Sequence, residues 1–92
     1  MYTIYYTNKM KKDIKRMKKR GKDISKITSV LSILATGNEL PKSFHDHQLS
    51  GNRAGFRECH IESDWILIYR IENELLILTA TETGTHSDLF NL

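Results

Sequence analysis

His47, His60 and His86, together with Asp64, are the side chains of this sequence best suited to moving protons near neutral pH. Three imidazoles and a carboxylate meeting on one surface could serve as general acid and base. Period-two alternation bears on whether they meet. Along residues 56–61 it sends Arg57, Cys59 and Ile61 to one side and Phe56, Glu58 and His60 to the other. Cys59 and Ile61 read as the core side, so His60 points away from it, beside the turn that holds Asp64. His47 reaches this face from a loop and His86 from the tail. A metal site is the competing chemistry. The sequence has no His-x-x-x-His pair on a helix and no cysteine set, so neither a metal ligand nor a cofactor is assigned. His45 is expected to be an exposed loop histidine without a role.

The elements that must position these groups follow from periodicity and punctuation. Residues 2–6 are aromatic and β-branched and predict a strand. Met10, Ile14 and Met17 recur at helical spacing between a cap at Thr7-Asn8 and a stop at Gly21, which predicts a helix over about residues 8–20. Ile24, Ile27, Leu31 and Leu34 predict a second helix, capped by Asp23 or Ser25 and ended by Gly37. Residues 37–55 lack a period, contain Pro41 and end in two glycines, so they read as a long loop. Three strands are expected after it, over 56–61, 65–71 and 75–80, joined by hairpin-length connectors. Trp65, Leu67 and Tyr69 alternate with Ile66, Ile68 and Arg70, the pattern of a central strand packed on both faces. The expectation is α+β: an antiparallel four-stranded sheet with two N-terminal helices packed on one face.

A chain of 92 residues supports one domain, taken as 1–92, with a modest core. The single cysteine, Cys59, cannot close an internal disulfide, which fits a reducing cytoplasm. No apolar run has signal-peptide or membrane-spanning length, so a cytoplasmic protein that neither enters nor crosses a membrane is expected. The net charge of +3 conceals an asymmetry. Residues 1–36 carry +8 and residues 37–92 carry −5. A basic front half suits a polyanionic partner, with a solvated helix face as the plain alternative.

Three segments add a resemblance: residues 46–51 (Asp46-His47-Gln48-Leu49-Ser50-Gly51), residues 55–69 from Gly55 to Tyr69, and residues 83–90 (Thr83-Gly84-Thr85-His86-Ser87-Asp88-Leu89-Phe90). With the lysine-rich opening, they resemble the YafQ branch of the RelE superfamily of toxin–antitoxin toxins. The resemblance implies a RelE-like fold with a short C-terminal helix. It further implies ribosome-dependent cleavage of messenger RNA, a protein antitoxin as partner, and contact with DNA only through that antitoxin. By position it implies His47, His60, Asp64 and His86 as catalytic residues and Phe90 as an aromatic that contacts a base. In such cleavage the 2′-hydroxyl attacks the phosphodiester. His60 or His47 is then the base candidate, His86 the acid candidate, and Asp64 a residue that orients a histidine. Lys11, Lys12, Lys15, Lys18, Arg53, Arg57 and Arg70 are the expected RNA-binding cations. Two positions depart from the family pattern. Glu82 stands where a basic residue is usual, and Arg53-Ala54 replaces Trp-Lys. Glu82 would repel the scissile phosphate unless Arg57 or Arg70 offsets it, which leaves a cleavage-deficient variant open. A ParE-like toxin that binds a protein such as gyrase without catalysis is the other alternative.

Overall fold

The computed structural model describes residues 1–90, so the last two positions of the expected 1–92 domain lie outside the described residues. Strand β1 runs over Thr3–Tyr6 and helix α1 over Asn8–Lys19. The Thr7 hydroxyl caps α1 by accepting the Met10 amide at 2.9 Å, as an N-cap threonine should. Gly21, at φ +86°, turns the chain out of the helix. Helix α2 spans Ser25–Ala35 and buries Ile27, Val30, Leu31, Leu34 and Ala35. Asp23 supports its start by accepting the Ser25 amide at 3.0 Å and hydroxyl at 2.6 Å.

The remaining elements are β2 (His47–Gln48), β3 (Arg57–Glu62), β4 (Trp65–Glu72), β5 (Ile77–Gly84) and a short helix α3 (His86–Phe90). They correct the expected sheet in three ways. It has five strands, ordered β1-β5-β4-β3-β2, and not four. The extra strand, β2, is two residues of the supposed loop, too short to show any period, and pairs His47 with Glu58. The sheet is also not wholly antiparallel, because β1 lies parallel to β5. Both helices intervene between β1 and the later strands and return the chain to the same end. Finally, the last strand starts at Ile77 and runs on to Gly84. Leu75 and Leu76 fall in the preceding turn, where Leu76 adopts φ +53° and both side chains are exposed. A register shift opposite Ile68 and Tyr69 leaves Thr81 as the extra residue of a bulge in β5.

The two faces of the sheet differ. Helices α1 and α2 cover one, where Met10, Met17, Ile27 and Leu31 pack on Cys59, Trp65, Leu67 and Tyr69. The other holds a small cluster of Ile66, Ile68 and Leu89, completed by Leu49, Phe56 and Phe90. β4 is therefore buried on both sides. Among the described residues no helix is long and apolar enough to cross a membrane.

Helix α3 is tied to α1 across the sheet edge. Asp88 accepts from Arg20 at 2.6 and 3.0 Å and from the Thr85 amide at 2.9 Å. Gly84 makes room for this: a Cβ there would lie 2.8 Å from Arg16 Nη2 and 3.0 Å from Asp88. The Arg20 bond holds the Asp88 carboxyl well below its ordinary 3.8. Because the folded value is depressed, the stabilisation is complete above that ordinary value and is lost as pH falls below it. Asp88→Asn should cost about 1 kcal/mol at pH 7, lowering Tm by roughly 4–8 °C in thermal melts. The gap to the unsubstituted protein should close as the pH falls below the ordinary carboxylate range. An equal gap at both pH values would assign the effect to packing.

Candidate active site on the sheet face opposite the helices

The period-two alternation of β3 places Phe56, Glu58 and His60 together, and Glu58 turns out to be the centre of the site. It is 5% exposed. Three imidazole Nε2 atoms converge on its carboxylate: His47 at 3.0 Å, His86 at 3.6 Å and His60 at 3.8 Å. His47 comes from β2, whose pairing with β3 sets it opposite Glu58. His86 is the first residue of α3. Asp64, in the turn between β3 and β4, accepts from His86 Nδ1 at 2.8 Å and from the His86 amide at 3.1 Å. The expected four residues thus share one surface, but among the described histidines Asp64 bonds His86 alone, and it remains largely exposed.

Several features were not apparent from sequence. Glu58 lay on the correct face by alternation, yet nothing local marks one carboxylate among nine in residues 37–92 as the hub. His45, given no role, adopts φ +49° and its carbonyl accepts from His47 Nδ1 at 2.7 Å. Its ring stands edge-on to His60 with centroids 5.5 Å apart. With Nδ1 donating to a carbonyl, His47 can bond Glu58 only if a proton lies between Nε2 and the carboxylate. Rings continue along the face: His60 to His86 at 5.4 Å, His86 to Phe90 at 6.1 Å, and the Arg53 guanidinium 4.7 Å from the Phe90 ring.

The expected cations divide. Arg53 is at the site, bonded to Glu82 at 2.6 Å and to the Leu89 carbonyl at 3.0 Å. Arg70 lies 5.8 Å from the Phe56 ring. Arg57 faces the helix side, bonded to Asp46 at 3.3 and 3.4 Å. It therefore cannot offset Glu82, and Arg53 does so instead. Lys11, Lys12, Lys15 and Lys18 are exposed on α1, in the layer behind the sheet. A cleft of about 820 Å³ also opens on the helix side beside Arg57 and Tyr69. His60 lines a shallow cleft of about 550 Å³ with Phe44, His45 and Glu62, while His47 and His86 stand at the solvent-reachable surface. Burial pushes the Cys59 thiol up to about 12, so it is a packing residue and no nucleophile.

Glu58, His60 and His86 also offer ligand atoms within 4.8 Å of one another. One carboxylate and two imidazoles suit a divalent transition ion. The fold assembles this set from residues whose spacing carries no metal signature.

The profile of a family described as the bacterial toxin of a type II toxin–antitoxin system, YafQ, matches residues 2–91. The chain belongs to the YafQ toxin family. It is 40% identical over 88 residues to the mRNA interferase toxin YafQ of Escherichia coli K12, covering 95% of this chain and 94% of that one. The E. coli YafQ fold in a DinJ–YafQ complex matches with a TM-score of 0.88 at 36% identity, over 98% of this chain and 99% of that one. A metal-bound toxin from Helicobacter pylori matches with a TM-score of 0.91 at 38% identity, over 98% and 100% of the two chains.

Hydrogen bonds from the His86 ring and amide favour ionised Asp64 and hold its carboxyl below the ordinary 3.8. His86→Ala removes the ring donor, so the Asp64 midpoint should rise toward that value in a carboxyl-carbon NMR titration. An unchanged midpoint would mean that this contact is not formed in solution.

Proposed function

We propose that this protein is an mRNA interferase toxin of a type II toxin–antitoxin system, cleaving messenger RNA on the translating ribosome in the cytoplasm until a protein antitoxin neutralises it. The convergence of three imidazoles on the buried Glu58, with Asp64 orienting one of them, carries the reading. Membership of the YafQ family and likeness to an E. coli toxin named for that activity support it. A toxin that only bound a protein target would have no need of such a cluster.

The geometry divides the labour. Attack by a 2′-hydroxyl on the adjacent phosphate requires a proton acceptor at that hydroxyl, a donor at the leaving 5′-oxygen, and positive charge near the equatorial oxygens. His86 is the donor, because Asp64 fixes its Nδ1 side and turns Nε2 into the site. His60 is the acceptor. Its Nε2 stands 3.8 Å from Glu58, outside hydrogen-bond range and 23% exposed in its side chain. His47, bonded to the His45 carbonyl and to Glu58, is fixed beside them as a contact for the phosphate. Glu58 holds His47 by a direct contact and puts negative charge beside the other two rings. If a metal ion occupied Glu58, His60 and His86, it would supply Lewis-acid charge while taking both proton-transfer rings out of service.

The α1 lysines serve a different step. Standing behind the sheet, they attract ribosomal RNA at long range while the histidine face holds the message. The antitoxin is an acidic, partly apolar segment that covers one of these two surfaces.

His86→Ala should leave ribosome binding intact and lower single-turnover cleavage, read by primer extension on a translated message, by roughly 10²–10⁴-fold. Cleavage as fast as the parent's would make His86 structural. Replacing Lys11, Lys12, Lys15 and Lys18 with Gln should weaken ribosome association and flatten its dependence on salt, with cleavage on bound ribosomes nearly unchanged. An unaltered salt slope would move the RNA contact elsewhere.

A further inference from the structure

Beside the histidines, on the same sheet face, lies a second cleft that the cleavage chemistry leaves unused. It has a volume of about 360 Å³ and is lined by Asn52, Arg53, Phe56, Thr81 and Glu82. That is at the small end of ligand-sized pockets. Phe56 precedes Glu58 by two residues on the same face, a step of roughly 7 Å along the strand. The cleft therefore opens next to the reacting groups, and Phe90 and Arg53 link it to His86.

Its chemistry is that of a base-reading site. Phe56 supplies an aromatic wall, with the Arg70 guanidinium 5.8 Å from its ring. Unstacked RNA bases settle on such aromatic and guanidinium planes and are read at their edges. Glu82 is a pure acceptor. The bond from Arg53 Nη1 to its Oε2 at 2.6 Å fixes the carboxylate and cancels its charge, so a nearby phosphate is not repelled. A carboxylate has about four acceptor positions, and this contact engages one oxygen only. Two parallel donors would complete it, and among the four RNA bases the N1–H and N2–H pair of guanine presents them. The Asn52 amide can donate to guanine O6 on the same edge. Adenine offers an acceptor at N1, and uracil lacks an exocyclic amine. The residue that departs from the family pattern thus becomes a reader of sequence rather than a defect.

We infer that Asn52, Arg53, Phe56 and Glu82 form a pocket for an unpaired guanine of the RNA, flanking the scissile phosphate, with Glu82 as its specificity-determining residue. The inference rests on the proposed ribonuclease reading for its substrate, but its test does not require cleavage. The probes are fluorescein-labelled uridine hexanucleotides, all 2′-O-methylated to remove the attacking hydroxyl, with a central guanosine, adenosine, cytidine or uridine. Binding to the whole protein is read by anisotropy. Guanosine should bind about 10-fold more tightly than uridine. Glu82→Gln, which keeps shape and loses the acceptor pair, should reduce that gap to about 2-fold, and Asn52→Ala should narrow the margin over adenosine. The unsubstituted protein's base series stands by itself if Glu82→Gln fails to fold. Equal affinity for the four probes, binding of none, or a guanosine preference that survives in folded Glu82→Gln would each overturn the inference. Primer extension separates the two readings. A guanosine preference without cleavage of a translated message would leave the pocket standing and remove the ribonuclease assignment. Cleavage with no preference among probes would do the reverse.

Discussion

The structure turns on a buried carboxylate. Asp13, 2% exposed in the interface between α1 and β5, accepts the Thr83 amide at 3.1 Å and is flanked by Lys9 at 2.9 Å and Arg16 at 3.3 Å. A charge in such a place is tolerated only while its partners stay put, and stranding it costs several kcal/mol. Helix α1 can neither slide nor rotate on β5 without breaking this arrangement. Thr83 extends it, taking the Trp65 indole N–H at 2.9 Å and donating to the Ile66 carbonyl at 2.6 Å. One acid of a lysine-rich helix thereby locks that helix to β5 and β5 to β4. His86 follows three residues later, so the placement of its ring beside Glu58 is inherited from a contact on the opposite face of the sheet.

The same contacts change the meaning of the basic front half. Lys9, Arg16, Arg20, Lys22 and Lys26 hold Asp13, Asp88 and Glu62, so part of the charge seen in the sequence is structural. Lys11, Lys12, Lys15 and Lys18 remain exposed and available for a polyanion. The sheet is equally two-sided. Its helix-covered face carries the main core, while the far face needs only a few apolar side chains under α3. Imidazoles and a carboxylate can therefore crowd the rest of that surface without competing with the core for space.

Much of the fold was legible because it is written at short range. Met10, Ile14 and Met17 between Thr7 and Gly21 fix α1, and the alternation through β3 correctly puts His60 and Glu58 opposite Cys59. What was missed depends on partners far along the chain. Two residues cannot declare themselves a strand, so β2 is visible only in its pairing with β3. The parallel β1–β5 edge and the bulge at Thr81 are properties of pairing and not of either strand alone. Within the site, the histidines stood out by residue type, whereas Glu58 owes its importance to burial among three rings. Glu82 looked like a repulsive charge until Arg53, 29 positions away, was seen to neutralise it. Arg57 was offered as an offset to Glu82, although the alternation that placed Cys59 with the core already put Arg57 on that same side.

Helix α3 contains five residues, far short of the roughly 12–15 at which an isolated helix becomes marginally stable in water. It exists because Leu89 is seated against Ile66 and Ile68 and because Asp88 is held by Arg20. Segments of this kind open locally at free energies well below that of global unfolding. On warming, His86 would therefore leave Glu58 and Asp64 while the sheet and both long helices are still intact. The histidine cluster would behave as a thermal fuse, losing one ring before the rest of the molecule melts.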